Sequence, residues 1–202
     1  MYKKQMTLQR IVCYALLIAA ALVFVYSLGL MTDLYDSGLN YFAEDYYRYQ
    51  EDPANLMVLG SEVYYDMQGF NRSLTLVGIA LILLAVAQFM FQNHNRRKYY
   101  IANYITVGAS TIGAVTASVW ALSNIFKYKA QYLKLDFETL KLYAELFKFE
   151  YTDSTFWFDA SVVVFALLLI VAVVNVINMF WKISLMKAEK KLIKAGKEGK
   201  AA

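Results

Sequence analysis

The sequence is poor in the residues that build catalytic and metal centres. It has one cysteine (Cys13), one histidine (His94) and one proline (Pro53) in 202 residues. A single cysteine excludes an internal disulfide and a multi-cysteine metal site, and a histidine outside every long apolar run excludes a bis-histidine haem in the membrane. Neither HExxH, GxSxG nor a glycine-rich phosphate loop with lysine occurs. The sequence therefore predicts a protein that is not an enzyme, with no catalytic, cofactor-binding or metal-binding residues.

Charge is also scarce, since 18% of the residues are charged and 59% are hydrophobic. Soluble domains have about 25% charged and roughly 45–50% apolar residues, so this chain is too apolar for that class. It is also too hydrophobic to be disordered, since disorder requires low hydrophobicity. Four long apolar runs occupy residues 11–31, 73–91, 100–126 and 156–181. Each suits a helix crossing a hydrocarbon core about 30 Å thick, and the first exceeds the roughly 7–15 apolar residues of a signal peptide. The predicted fold is all-α, a polytopic protein with four transmembrane helices and a small helical extracytoplasmic cap.

The sign of the charge differs between the segments that connect these runs. The N-terminus, the loop 92–99 and the tail 182–202 hold thirteen bases and two acids, whereas the loop 32–72 holds eight acids and two arginines. The segment 127–155 has five of each sign. Short basic segments remain in the cytoplasm, so both termini and the loop 92–99 are predicted inside. Compact outer loops without cysteine favour a bacterial plasma membrane.

The tail is predicted to continue the fourth span as a basic helix. Lysines near an anionic leaflet contribute about 1 kcal/mol each to membrane binding. The residues expected to contact inner-leaflet lipids are Lys187, Lys190, Lys191 and Lys194. The tail has no aromatic residue after Trp181, and nucleic-acid binding is not predicted because it needs a larger basic surface with stacking or base-reading groups.

The third span carries two rows of small residues at helical spacing. Such residues let membrane helices approach closely. The rows are Ala109, Gly113, Ala117 and Ala121, and beside them Ser110, Ala114 and Ser118. One interpretation places this face at the centre of the protein's own bundle, and the other has it dock a helix of another protein or protomer.

Polar side chains inside the spans lie at a similar depth near the predicted cytoplasmic side. They are Gln88, Asn103, Asn175 and Asn178. Interhelical hydrogen bonds between such amides contribute about 0.6 kcal/mol on average, which favours a structural role. The alternative is a polar cavity for a small solute.

Asp159, near the start of the fourth span, is interpreted as a charge at a helix N-terminus in preference to a proton carrier.

The two predicted outer segments carry the aromatic and amphipathic features. Asp52 and Pro53 are good residues to begin a helix, which is expected to end at about Gln68, before Gly69. A second helix, amphipathic, is expected from about Lys129 to Glu150. Tyrosines and the apolar stripe of the second helix form a predicted partner surface: Tyr46, Tyr47, Tyr49, Tyr64, Tyr65, Leu133, Phe137, Leu140 and Phe147.

Two functional hypotheses follow from these features. The first is a non-catalytic accessory or scaffold subunit of a larger membrane complex, such as a transporter, which binds other subunits or itself through the third span and the outer loops. The second is a homo-oligomeric channel or small-solute transporter whose polar path passes Asn175, Asn178, Asn103 and Ser110. The polar residues lie mainly at one end of the spans, so the first hypothesis is preferred.

Overall fold

The computed structural model describes residues 2–31, 58–92, 97–148 and 150–201, and all regular secondary structure in these ranges is helical. The five helices are α1 (Tyr2–Met31), α2 (Glu62–Phe91), α3 (Arg97–Tyr132), α4 (Phe137–Phe147) and α5 (Phe156–Ala201). All but α4 are long and apolar enough to cross a membrane. The predicted all-α fold with four such helices is therefore confirmed. A helix satisfies its own backbone hydrogen bonds, as a segment in lipid must.

The four long helices form a ring in the order α1, α2, α3, α5, in which each packs against its two neighbours. The start of α1, the end of α2, the start of α3 and the end of α5 meet at one end of the ring. We call this the basic end, because the basic N-terminal and tail segments lie there. The opposite end carries α4, and we call it the α4 end.

A belt without charged side chains separates the two ends in α5. Asp159 and Lys182 bound this belt, and at 1.5 Å per residue they are about 35 Å apart along the helix axis. In α3, Lys129 lies level with Asp159, because their side chains are joined across the two helices. The length of the belt is close to that of a bilayer's hydrocarbon core, about 30 Å.

Small residues allow α1 and α2 to approach closely within this belt. A Cβ atom added at Gly78 of α2 would lie 2.9 Å from the Cα atom of Phe24 in α1. Apolar side chains fill the interior around this contact, including the fully buried Val23, Leu74 and Phe165. The backbones of α1 and α2 are therefore fixed against one another at Gly78, since no side chain fits there.

The prediction for the first outer segment is wrong where the structure describes it. Residues 58–61 form a turn, and α2 then begins at Glu62 and continues through Gly69 to Phe91. Gly69 has no neighbouring atom within 4 Å of a Cβ position. A glycine in a helix interior costs about 1 kcal/mol, which the burial of Met67 and Phe70 beside it offsets. Asp52 and Pro53 lie outside the described residues.

The single amphipathic helix predicted from Lys129 to Glu150 is instead two helices. The chain turns at residues 133–136, and α4 begins after Asp136. The Asp136 carboxylate accepts hydrogen bonds from the backbone N–H and the hydroxyl of Thr139, at 3.1 and 2.6 Å. Both bonds hold the pKa of Asp136 below its ordinary value, and the bond from the hydroxyl has the larger effect. A capping aspartate therefore breaks the helix where the hydrophobic period alone indicates continuity.

The turn before α4 also contacts the turn before α2. The backbone N–H of Asp136 donates to the carbonyl of Leu59 at 3.0 Å. Gly60 has φ of 85°, a conformation that favours glycine, and a Cβ there would lie 3.1 Å from the Cα atom of Leu135. Leu140 and Ala144 are the buried residues of α4. The two connecting segments are thus held together at the α4 end by backbone contacts and a small apolar core.

Candidate functional site

The predicted intramembrane amides Gln88 and Asn175 form a reciprocal pair between α2 and α5. Gln88 Nε2 donates to Asn175 Oδ1 at 2.8 Å, and Asn175 Nδ2 donates back to Gln88 Oε1 at 3.1 Å. The pair also contacts Cys13 Sγ of α1 at 3.6 Å and Thr111 Oγ1 of α3 at 3.4 Å. All four long helices therefore contribute to one small polar group, which consists of the pair Gln88 and Asn175 with Cys13 and Thr111 beside it.

A second polar group lies nearer the basic end. Lys182 Nζ donates to Asn103 Oδ1 at 2.7 Å and to Gln9 Oε1 at 3.5 Å. Gln5 Nε2 donates to Gln9 Oε1 at 3.1 Å and to Asn178 Oδ1 at 3.2 Å. We call these five residues, Gln5, Gln9, Asn103, Asn178 and Lys182, the amide–lysine cluster. Its side chains come from α1, α3 and α5, and none is more than 5% exposed.

The pair of Gln88 and Asn175 lies inside the belt, toward the basic end. The amide–lysine cluster lies at the edge of the belt, which Lys182 marks. Asn175 is about 10 Å from Lys182 along α5 and about 24 Å from Asp159. Further toward the α4 end, the buried serines Ser27, Ser118 and Ser161 donate to carbonyls of their own helices. In the described residues the polar side chains thus do not continue as one path through the belt.

Three buried polar atoms at the basic end have no hydrogen-bond partner among the described residues. They are Gln5 Oε1, Asn103 Nδ2 and Gln92 Oε1. Gln92 follows the last residue of α2, one turn beyond Gln88. Buried polar atoms in folded proteins are nearly always hydrogen-bonded to protein or to an ordered molecule. The basic end therefore has unused donor and acceptor capacity in addition to the network that holds it together.

The structure brings the four predicted intramembrane amides into two adjacent groups, but it also adds members that sequence reasoning missed. By sequence, Gln5 and Gln9 belong to the N-terminal flank and Lys182 to the cytoplasmic tail. The spacing of these residues holds the signal that could have found them. Asn175, Asn178 and Lys182 are three and then four residues apart, and Gln5 and Gln9 are four apart, so each set shares one helix face.

A groove lies between α2 and α3 on the outside of the ring. Its volume is about 260 Å³. The residues that line it are Val77, Ala80, Leu81, Leu84, Gly113, Thr116, Ala117 and Trp120. Gly113 is about 24 Å from Lys129 and about 15 Å from Asn103 along α3, so the groove opens within the belt without charged side chains. The small residues of the third span that line it are Gly113, which is half-buried, and Ala117, which is 7% exposed.

The predicted small-residue face of α3 is divided between the interior and this groove. Ser110, Ala114, Ser118 and Ala121 are buried, and Ser110 Oγ donates to the Leu84 carbonyl of α2 at 3.4 Å. Gly113 and Ala117 line the groove, while Ala109 is half-buried. A Cβ at Gly113 would lie 3.2 Å from a side-chain carbon of Leu84. One face of α3 therefore packs in the bundle, and its edge borders the groove.

The predicted partner surface at the α4 end is only partly exposed. Leu140 and Tyr64 are buried, and Tyr65 and Phe137 are half-buried. Leu133 and Phe147 are exposed. The other predicted residues, Tyr46, Tyr47 and Tyr49, lie outside the described residues. Tyr64 and Leu140 therefore belong to the protein's own core, and Phe137 packs against it.

Asp159 lies at the α4 end of the belt, where its charge is paired. Lys129 Nζ is 2.5 Å from Asp159 Oδ1, and the Thr155 hydroxyl donates to Oδ2 at 2.7 Å. Both charged side chains are partly exposed. Asp159 therefore joins α3 to α5 at the belt edge, in keeping with a charge near a helix N-terminus.

The tail lysines lie on the exposed part of α5 beyond the amide–lysine cluster. Lys187, Lys190 and Lys191 are exposed, and the side chain of Lys194 lies outside the described residues. Tyr104 of α3 donates to the sulfur of Met186 at 3.0 Å, so the packing of α5 against α3 extends to that turn. The described lysines are thus exposed at the basic end, and their contact with inner-leaflet lipids stays a prediction.

Comparisons with models of protein families, with curated proteins and with solved structures found no match. Within the described residues, no group of three or more histidine, cysteine or acidic side chains is placed to hold a metal ion. Two features thus remain as candidate sites on the structure's own geometry. They are the α2–α3 groove and the polar groups at the basic end.

Proposed function

We propose that this protein is an integral-membrane accessory subunit that acts by binding, without catalysis, and that its partner inserts a transmembrane helix into the α2–α3 groove. The observation that carries the proposal is the groove itself. It lies at mid-belt, and its lining contains small residues of both helices, Ala80, Gly113 and Ala117. Small residues let two membrane helices approach closely enough to gain packing energy.

The size of the groove fits side chains of a partner helix. An engineered cavity of about 150 Å³ is large enough to bind benzene, and the groove measures about 260 Å³. It can therefore take one or two large side chains. A partner helix would fill it in a fixed arrangement, whereas lipid chains would fill it in many.

In this proposal the basic end faces the cytoplasm of a bacterial plasma membrane. The thirteen bases of the N-terminus, the loop 92–99 and the tail support that orientation. The groove then lies in the bilayer, and the acidic, tyrosine-rich segment 32–72 lies outside, where it is available to the same partner. A transporter that needs a stabilising subunit is an example of such a complex.

A channel or small-solute transporter is the less well supported function. A solute path needs polar groups along the belt, and the described ones gather toward the basic end. The buried core between them and Asp159 contains Leu16, Val23 and Leu168. Reconstitution of the purified chain into vesicles, followed by flux measurements with small ions and polar solutes, should show no transport above empty vesicles.

Native mass measurement after mild solubilisation of the protein's own membrane tests the binding function. The chain alone is 23.1 kDa, and we expect an additional mass from a different protein. The variant Ala80→Leu fills the groove and should release that mass. Ala166→Leu is the matched control, because Ala166 is also exposed but lies on α5.

Three results would contradict the proposal. The first is a wild-type chain found only at 23.1 kDa. The second is a mass that is a multiple of this value, which would replace a foreign partner with a second copy of the chain. The third is an Ala80→Leu variant that retains the partner as well as Ala166→Leu does.

A further inference from the structure

The amide–lysine cluster contains a donor whose orientation is determined by the lysine. Lys182 Nζ lies 2.7 Å from Asn103 Oδ1. The reversed amide would turn its NH₂ group toward the ammonium, and two donors cannot share a hydrogen bond. Asn103 Nδ2 is therefore the atom without a partner among the described residues. The residue is 2% exposed, so this N–H is not offered to bulk water.

The same cluster also contains a hydrogen-bond acceptor that the described residues leave unused, the side-chain oxygen of Gln5. Gln5 Nε2 is engaged by Gln9 and Asn178, and Gln5 Oε1 has no partner in the described part of the chain. Gln5 is completely buried. Gln92 Oε1, also buried and without a described partner, lies at the same end of the bundle. The unused groups are thus one donor beside an ammonium and two amide oxygens.

We propose that the amide–lysine cluster is a binding site for a phosphate-type oxyanion that also carries a hydroxyl group. The anionic oxygens would accept from Asn103 Nδ2 and from Lys182 Nζ, which lie within one amide group of each other. Hydrogen bonds between ionised partners are roughly twice as strong as neutral ones. The hydroxyl would donate to Gln5 Oε1 of the same cluster, which anionic oxygens cannot satisfy.

At the position of the cluster, two kinds of molecule can provide an oxyanion together with a hydroxyl group. Lys182 lies at the edge of the belt, about 35 Å from Asp159 along α5. In a bilayer, this edge is level with the lipid headgroups. A phosphatidylglycerol headgroup and a free hydrogen phosphate ion both combine an oxyanion with a hydroxyl. Exposed Lys187, Lys190 and Lys191 lie on the same helix and raise the local concentration of either anion. This inference does not depend on a partner in the α2–α3 groove.

The variant Asn103→Asp is the sharpest test of the site. Its carboxylate keeps an oxygen for Lys182 and is expected to preserve the fold, but it replaces the unused donor with a negative charge. Lys182→Met removes the ammonium while keeping a long apolar side chain. Lys187→Met is the matched control, since it removes an exposed lysine from the same helix.

Two arms of one experiment distinguish the sources. Purified full-length chain is titrated with inorganic phosphate in detergent while its thermal unfolding is recorded. In parallel it is placed in nanodiscs of phosphatidylglycerol or phosphatidylcholine, and the lipids retained after extraction are counted by native mass spectrometry. We expect stabilisation by phosphate, or one phosphatidylglycerol retained in preference to phosphatidylcholine, and which of the two occurs identifies the source.

In the arm that shows binding, Asn103→Asp and Lys182→Met should bind roughly tenfold or more weakly, as expected when a charge-assisted hydrogen bond is lost. Lys187→Met should bind as the wild type does. The proposal is overturned if the wild type responds to neither phosphate nor phosphatidylglycerol. It is also overturned if Asn103→Asp binds as tightly as the wild type, whatever the behaviour of Lys182→Met.

Discussion

On the side of α2 that faces α1, a Cβ atom at Gly78 would lie 2.9 Å from the Cα atom of Phe24. On the side that faces α3, Gly113 and Ala117 border a groove of about 260 Å³. Both sides use small residues at mid-belt. On the first side they bring two backbones of this chain together, and on the second they leave a space open to the surrounding membrane.

The difference indicates that a row of small residues predicts a close approach without identifying the helix that approaches. The α1 side is filled by the chain itself and should respond to substitution through stability. The α3 side is incomplete and should respond mainly through partner binding. Substitutions on the two sides of α2 can test that division, beginning with the one expected to change stability most.

Gly78→Ala should give the largest destabilisation. The new methyl group would overlap the backbone at Phe24, so α1 and α2 would have to separate. Overpacking of this kind typically costs about 1–3 kcal/mol. Gly108→Ala is the control, because no atom beyond the adjacent backbone of its own helix lies within 4 Å of its Cβ position, and it should be neutral or gain up to about 1 kcal/mol. Equal unfolding free energies for the two variants in detergent would disprove close packing at Gly78.

Gln88→Leu should give the next effect, because it leaves the buried Asn175 amide without its main partner. The measurement is a double-mutant cycle with Asn175→Leu, using unfolding free energies. We expect a coupling energy between the two amides of about 0.6 kcal/mol and at most about 1.7 kcal/mol, the average and the maximum found for interhelical hydrogen bonds in membranes. A coupling near zero would mean that the pair does not help to fix α2 against α5.

Ala80→Leu should change stability by no more than about 0.5 kcal/mol, because the side chain enters space that the chain leaves open. The same measurement on Ala166→Leu provides the reference for an added leucine on the outer surface. If Ala80→Leu destabilises the isolated chain as much as Gly78→Ala does, the groove is part of the protein's own packing and the contrast between the two sides of α2 fails.

The smallest effect is expected at α4, remote from both sides of α2. Hydrogen bonds from Thr139 lower the pKa of Asp136 from 3.8, so the folded state favours the ionised carboxylate. Its stabilisation is present above this ordinary value and is lost as the pH falls through the lowered pKa. Hydrogen exchange of the α4 amides should therefore accelerate in acid. Asp136→Asn should remove that acceleration, and an unchanged acid response in the variant would show that another group causes it.

The four long apolar helices could be predicted from the sequence, because a run of about 20 residues without charge matches the thickness of a hydrocarbon core and exceeds most core helices. The ends of the elements could not. A glycine such as Gly69 favours the end of a helix, but the burial of its neighbours outweighs its low helix propensity. Asp136 borders the apolar stripe that predicts one long amphipathic helix, because it lies three residues after Leu133 and four before Leu140, although its side chain caps α4 and breaks that helix.

The polar groups at the basic end show a related limit. Gln88, Asn103, Asn175 and Asn178 are recognisable because they interrupt apolar runs. Lys182 resembles the lysines that follow it, so its charge alone assigns it to the tail. Its burial results from its place on the same face as Asn178. Spacing on a helix face, extended past the end of an apolar run, is the signal that includes it.

The most direct test of a partner helix in the α2–α3 groove is photo-crosslinking in intact membranes. A photoreactive side chain is placed at Thr116, which lines the groove, and in a second sample at Ala166 on α5. We expect an adduct of Thr116 with one distinct protein and none of comparable yield from Ala166, and filling the groove with Ala80→Leu should abolish it. Equal protein adducts from both positions, or lipid adducts alone from Thr116, would contradict a partner helix at this site.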